Sequence, residues 1–268
     1  MEGKINASII DNLIIHTYTS PENGWSVNSH IIELPSQLLV VDAQLLIPYA
    51  EEVADYAASL GKPISRLYVT HHHPDHFFGA TAFNTSISAL TETAEMIEAT
   101  ADLFAGSMHA RLGDLVPAKA PRVAQIIQAG TEIFDDIELE FIHLKNAETV
   151  DALIIALPNH GILITQDMIY NRIHPYLGDM AFDSWMQDLE HFKSQKKYVH
   201  IFPGHGKPGG TELYDLMLGY LAAARRIYQQ STTFTEFITA IKEARPDYYN
   251  DALLNLSQRY LFPKKNES

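Results

Sequence analysis

Within the stretch VTHHHPDHFFGA, residues 69–80, four histidines and an aspartate occupy the six positions from His71 to His76. Imidazole and carboxylate donors suit zinc first, then iron or manganese. His71 and His73 are two residues apart, so on an extended segment they point the same way, as chelation of one ion requires. Pro74 turns the chain, and Asp75 and His76 follow at the start of a predicted helix, where they could serve a second ion. His72 alternates away from its neighbours and is expected beside the site or at the surface. A solvated histidine-rich loop is the competing reading. The buried strand predicted immediately upstream, Leu67–Thr70, argues against it.

Other apolar, β-branched runs end in similar residues: Ile162–Thr165 leads to Asp167, and Val199–Phe202 leads to His205. In α/β architectures functional side chains gather just beyond strand ends, where the backbone is rigid and the side chains are accessible. Three strands delivering His, Asp and His form a convergent constellation. Further strands are predicted at NLIIHTY, SHIIEL, LLVVDA, AQIIQA, IELEFIHL and DALIIALP. PNHG, 158–161, is the tight turn that follows the last of these. Val53, Tyr56, Ala57 and Leu60 share one helix face, which Gly61 and Pro63 terminate. A longer helix is predicted over about 92–112, and another behind Asp183 as N-cap, with Trp185, Leu189 and Phe192 on one face. After Gly210 the strand signals stop, and 211–230, about 234–244 and about 250–260 read as helices. With no linker, repeat or low-complexity tract, residues 1–268 are expected to form a single domain, about 211–268 being a helical C-terminal extension. That extension packs on the rest of the domain, or offers a homodimer surface or one wall of a substrate pocket.

Hydrophobic residues make up 46% of the chain, enough for a sizeable core, and the net charge is −14. Such a charge repels nucleic-acid phosphates and anionic membrane surfaces, so neither is expected as a partner and a small-molecule substrate is. There is no cysteine, which excludes disulfides and thiolate-held metals. No apolar run approaches the roughly 18 residues that read as a membrane-spanning helix. The start lacks a basic segment followed by an apolar run, so a cytoplasmic location is expected, or a periplasmic one if a signal peptide has been trimmed.

His71, His73, Asp75 and His76 match in full the His-x-His-x-Asp-His signature of the metallo-β-lactamase superfamily, which the chain resembles over most of its length. VNSHIIELPSQLLVVDAQ is similar to that family's opening segment, GILITQDMIY to the segment of its bridging aspartate (Asp167), and HIFPGHG to that of its last histidine (His205). The resemblance implies an α/β fold, a four-layer αβ/βα sandwich of two mixed β-sheets flanked by helices, with two divalent metal ions at one edge. It assigns His71 and His73 to a first site, Asp75, His76 and His205 to a second, and Asp167 to both. The family usually has a further histidine in a Gly-His-Thr-type turn, where this chain reads LKNAETVDALII. Glu148 takes that position, with His143 in the preceding strand as its rival. Alkyl sulfatases of the superfamily also use a glutamate there, although they are much larger proteins. A carboxylate in place of imidazole lowers the Lewis acidity of the first ion and favours manganese or iron over zinc.

The implied activity is hydrolysis of a small-molecule ester, thioester, lactone or related bond by a metal-activated hydroxide at a dinuclear centre, zinc first among the metals, with Asp75 orienting the attacking group. The alternatives are a sulfatase-like or phosphodiesterase-like hydrolase, motivated by Glu148 and His174, a β-lactamase, and a non-catalytic metal-binding protein on the same scaffold. His174, on the loop leaving the metal edge, is a candidate catalytic or substrate-contacting residue. Tyr170 and Arg172 are candidate substrate contacts, the arginine for an anionic group. SPENGWSV, 20–27, is either a flap with Trp25 as an apolar lid contact or a plain turn. His16, His30, His109, His160, His191 and His200 show no grouping and receive no role.

Overall fold

Odd and even residues of the same strand enter different cores. In the computed structural model, which describes residues 1–263, Leu153, Ile155 and Leu157 face one apolar cluster while Ile154 and Ala156 face another. Leu39 and Val41 separate from Leu38 and Val40 in the same manner. Side chains alternate with a period of two, so an uninterrupted apolar run marks a strand covered on both faces. Two sheets therefore share an inner core, and each buries its outer face under helices.

The first sheet runs in chain order: β1 (Lys4–Ile10), β2 (Leu13–Thr19), β3 (Asn28–Glu33), β4 (Leu38–Val41), β5 (Ile64–Tyr68), β6 (Ile87–Leu90) and β7 (Val123–Ile127). Neighbours are antiparallel as far as β4 and parallel from there on. The second sheet comprises β8 (Gly130–Phe134), β9 (Ile137–Lys145), β10 (Asp151–Leu157), β11 (Ile162–Tyr170) and β12 (His200–His205), with only the last pair parallel. α1 (Ile47–Ser59) covers the first sheet, α2 (Pro74–Phe77) is a single turn, and α3 (Thr91–Leu112) lies beside α1 over that sheet's outer core. α4 (Phe182–Gln195), α5 (Glu212–Gln230) and α6 (Phe234–Ala244) cover the second sheet. The expected four-layer sandwich of mixed sheets is the observed fold. No described helix is long and apolar enough to cross a membrane.

Three strands escape the apolar reading. β1 and β8 are largely exposed and lack an apolar run, and β6 has only four residues. α4 begins earlier than expected, with Ala181 at its N-cap, because Asp183 pairs with Arg225 instead of capping. The single helix expected over about 250–260 is two, α7 (Ala252–Leu256) and α8 (Gln258–Leu261). Ser257 interrupts them: buried, its Oγ accepts from the Leu177 backbone N–H and donates to the Leu253 carbonyl. Residues 264–268 of the expected extension lie outside the described residues.

Both sheets converge on one edge. The parallel strands β4 and β5 end there at Asp42 and His71, and the Leu153 N–H of the second sheet donates to the Thr70 carbonyl of the first over 2.8 Å. A bridge between Val27 and His205 closes the same edge. Everything at this edge therefore depends on the inner core that holds the sheets together. Ile155, fully buried in that core, sets the test. Ile155→Ala is expected to destabilise the protein by about 2–5 kcal/mol, read as a lower urea midpoint. An unchanged midpoint would show that this core does not hold the sandwich.

Candidate metal centre

Each side chain at the edge is delivered by a different local device. His71 follows β5 after Val69 and Thr70, and His73 is the extended N-cap of α2, φ −71° and ψ 138°, so the two point together. Pro74 opens the α2 turn, which carries Asp75 and His76 inward, both buried. Asp167 is not beyond its strand, as expected, but inside it. β11 shifts register on both sides of Gln166, whose φ is 42°, and this bulge re-aims the following residue. His205 ends β12, and Glu148 sits in the turn between β9 and β10. Gly204 is required before His205: a Cβ there would lie 1.9 Å from Asp167 Oδ1.

The ligand atoms form two groups. His71 Nε2 and His73 Nδ1 face each other at 3.1 Å, with Glu148 Oε1 3.3 Å from His73 Nδ1, and Glu148 and Asp167 oxygens each 3.9 Å from His71 Nε2. In the second group Asp75 Oδ2 is 3.5 Å from His76 Nε2 and 3.3 Å from His205 Nε2. Asp167 joins them, Oδ1 3.3 Å from His76 and Oδ2 3.4 Å from His205. Ligands held about 2.0–2.1 Å from a tetrahedral ion are about 3.3 Å apart, so these spacings suit metals. A second observation agrees. Asp75 Oδ2, His76 Nε2, Glu148 Oε2, Asp167 Oδ1 and His205 Nε2 are buried without a hydrogen-bond partner among the described residues. An orphaned buried polar atom costs about 1–3 kcal/mol, more when charged, and coordination would satisfy all five together.

Outer hydrogen bonds fix which imidazole nitrogen faces inward. His76 Nδ1 donates to Asp42 over 2.6 Å and His205 Nδ1 to the Trp25 carbonyl over 3.0 Å, which leaves both Nε2 lone pairs free for a metal. Asp42 was not anticipated. Buried, with φ 63°, it also accepts from the Thr70 N–H, the Thr70 hydroxyl and Gln166 Nε2. Its signal in the sequence was an aspartate closing the fully apolar run LLVV. His30, given no role, is buried and donates from Nε2 to the Pro203 carbonyl, while Asn28 holds the Pro203 and Gly206 carbonyls. These contacts steady the loop of Gly204 and His205.

The structure separates the rivals for the first group: Glu148 stands beside His73, whereas His143 lies between Asp151, 2.7 Å, and Glu92, 3.8 Å. Tyr170 is in the site but fully buried beneath it. Its hydroxyl donates to Asp167 and lies 3.3 Å from Glu148, and its ring stacks on His205 at 4.8 Å, so it positions carboxylates and offers no surface to a substrate. His174 is not on an open loop either. Its Nδ1 bonds the Tyr220 hydroxyl of α5 at 2.8 Å, and burial lowers its pKa to about 4. Arg172 is exposed and paired with Asp247, away from the ligands. Trp25 meets the centre through its backbone, and its loop is no free flap: Asn250 Nδ2 bonds the Glu22 carbonyl and Ser26. His72 is partly buried, 3.5 Å from Thr149. Tyr176, which carried no earlier assignment, lies 5.1 Å from the His73 ring.

In the metal-free protein, protons do what cations would do. Burial opposes charge on His73, but Glu148, Asp75 and Asp167 together outweigh it and raise the pKa to about 9. Asp167 and Asp75 raise His205 to about 9, again against burial. His76 is raised well above its usual range, Asp167, Asp75 and Asp42 overcoming desolvation, while desolvation pushes His71 well below it. Asp167 and Asp75 are held low by the facing histidines despite their burial. Burial lifts Glu148 to about 7, His73 opposing.

Residues 23–205 match the family model described as Metallo-beta-lactamase superfamily. The linear primary-alkylsulfatase of Pseudomonas sp. is 24% identical over 66% of this chain and 41% of its own length, so the chain spans about two fifths of that relative. Among solved structures, the metallo-beta-lactamase from Pontibacter korlensis superposes with a TM-score of 0.64 at 20% identity, covering 82% of this chain and 99% of that one. FIM-1 from Pseudomonas aeruginosa, in its mono-zinc form, gives a TM-score of 0.60 at 18% identity over 84% of this chain and 96% of its own. At these identities the likeness to solved structures is one of fold.

Two outcomes are expected of the centre. His73 and His205 have raised pKa values, so their stabilisation of the metal-free protein is complete below about pH 6.5 and is lost as pH rises through about 9. Glu148, raised by burial to about 7, acts in the same direction at lower pH, from about 4.5 to 7. The calorimetric midpoint of chelator-treated protein should therefore fall across this window, and metal uptake should release protons, measurable in buffers of differing ionisation heat. A midpoint that rises there would contradict the charge arrangement. Gly204→Ala should displace Asp167 and reduce bound metal by elemental analysis while far-ultraviolet circular dichroism stays native. Full metal content in this variant would remove the close approach as a requirement.

Proposed function

The chain belongs to the metallo-β-lactamase superfamily, and from that membership and the geometry of the edge we propose that it is a metal-dependent hydrolase of a small-molecule ester, thioester, lactone or related bond. The observation that carries this reading is the set of five buried, partnerless ligand atoms converging in two groups that share Asp167. His71, His73 and Glu148 would hold one divalent ion and Asp75, His76 and His205 the other, with Asp167 between them. Zinc is the first choice, and the carboxylate of Glu148 raises the standing of manganese or iron. Divalent ions in these positions supply Lewis acidity toward the scissile bond and lower the pKa of water.

The chain's own residues do the rest. Asp75, buried and beside His76 and His205, is placed to accept a hydrogen bond from the attacking water and to fix its direction. Asp42 and the Trp25 carbonyl hold His76 and His205 in the tautomer that presents Nε2 inward. Tyr170 keeps Asp167 and Glu148 from turning away. With the centre buried at the meeting of two sheets, its fields are screened less than in water.

A sulfate-ester specificity is the second reading. Its support is Glu148 in the first group together with the alkylsulfatase relative, of which this chain spans only about two fifths. Metal-loaded protein should be assayed on para-nitrophenyl acetate, para-nitrophenyl sulfate and bis(para-nitrophenyl) phosphate. Turnover of the acetate, lowered about a hundred-fold or more by Asp75→Ala with metal still bound, is the expected result. Turnover of the sulfate alone would select the sulfatase reading. Loaded protein inert toward all three would leave a metal-binding protein without catalysis.

A further inference from the structure

From the first-group histidine a line of rings runs outward to the C-terminal helices. The Tyr176 ring lies 5.1 Å from that of His73, and the Tyr260 ring of α8 lies 6.2 Å from Tyr176, both edge-on. The Arg259 guanidinium is 4.7 Å over the Tyr260 ring and 6.0 Å from the centre of the Phe104 ring in α3. The C-terminal helices and α3 thus meet just outside the metal centre.

Arg122, Arg172 and Arg225 each pair with a carboxylate, whereas Arg66, Arg111, Arg226, Arg245 and Arg259 have no carboxylate partner among the described residues, and of these Arg259 stands at the outer end of the ring line. This occurs in a chain with 33 acidic residues against 19 basic ones. An arginine stacked by its face keeps its N–H edge for a planar or tetrahedral oxyanion. Tyr260 presents apolar surface to solvent, being 43% exposed.

We propose that this line seats the non-reacting part of the substrate: an apolar chain along Tyr176 and Tyr260 that ends in an oxyanion held by Arg259, with the scissile bond at the metal centre. The inference rests on the hydrolase reading above and adds the substrate class, an anionic amphiphile with its charge remote from the reacting bond.

Octanoate and octanedioate differ only in the distal carboxylate, so their binding to metal-loaded protein by titration calorimetry isolates the contribution of Arg259. Octanedioate is expected to bind roughly five- to ten-fold more tightly, with hexanedioate and decanedioate reporting the optimal span. Arg259→Ala should erase the difference and Arg259→Lys keep part of it, while Tyr260→Ala should weaken octanoate and octanedioate alike. Equal binding of the mono- and dicarboxylates, or a preference that survives Arg259→Ala, overturns the proposal. Arg259 is exposed, so its variants are expected to fold, and circular dichroism checks this. In turnover, the mono-para-nitrophenyl ester of octanedioate should exceed para-nitrophenyl octanoate in kcat/KM by a similar factor. Arg259-dependent binding without turnover of either ester would end the hydrolase reading and keep the subsite. Equal turnover of both esters, unaffected by Arg259→Ala, would keep the hydrolase and end the subsite.

Discussion

Asp167 is the one carboxylate within reach of both ligand groups, and the edge is organised around keeping it there. It stands inside a fully buried strand, where a carboxylate would ordinarily be unaffordable. The bulge at Gln166 turns it to the edge, the absent side chain at Gly204 leaves it room, and the Tyr170 hydroxyl holds it from below. Gln166 then uses its amide on Asp42, which also receives Thr70 and His76. One bulge therefore couples the second sheet to the strand ends of the first.

Such a concentration of ionisable groups is expensive to bury. Seven candidate ligands, three of them carboxylates, share the two groups. Charges removed from water lose several kcal/mol of hydration each, and only facing countercharge restores it. In the metal-free protein the histidines supply that countercharge by taking protons. Divalent ions supply more of it at shorter range, which is why the arrangement fits metal better than it fits a network of hydrogen bonds.

The C-terminal helices contribute to the walls around the centre. Asn250 fastens the loop whose Trp25 carbonyl orients His205, Ser257 caps the Leu177 N–H, and Tyr220 takes His174. Residues that follow β11 in sequence are thereby drawn toward the helices and away from the metal edge. Tyr176, two positions beyond His174, is the member of that segment whose ring returns to His73.

What the sequence determined by itself was the identity and pairing of most of the centre. A His-x-His-x-Asp-His run behind a buried strand can be read locally, because extended geometry and a proline turn decide which side chains point together over a few residues. Most buried strands were legible too, since double-sided burial writes itself as continuous apolar runs such as DALIIALP and GILIT, while the four-layer sandwich was implied by the resemblance to the superfamily. Exposed edge strands left no such mark, and β1 and β8 were missed for that reason. Only the tertiary structure puts Glu148 beside His73 and His143 between Glu92 and Asp151, because both placements depend on the turn joining β9 to β10. It also revealed Asp42, whose donors on Thr70, His76 and Gln166 lie 28 or more residues away, and it engaged His174 with Tyr220 of α5 and Arg172 with Asp247 in the turn after α6. The physical reason is the same in each case. A residue's type and its near neighbours set what it can bind, but its partner is chosen by whichever distant segment packing brings within hydrogen-bonding distance.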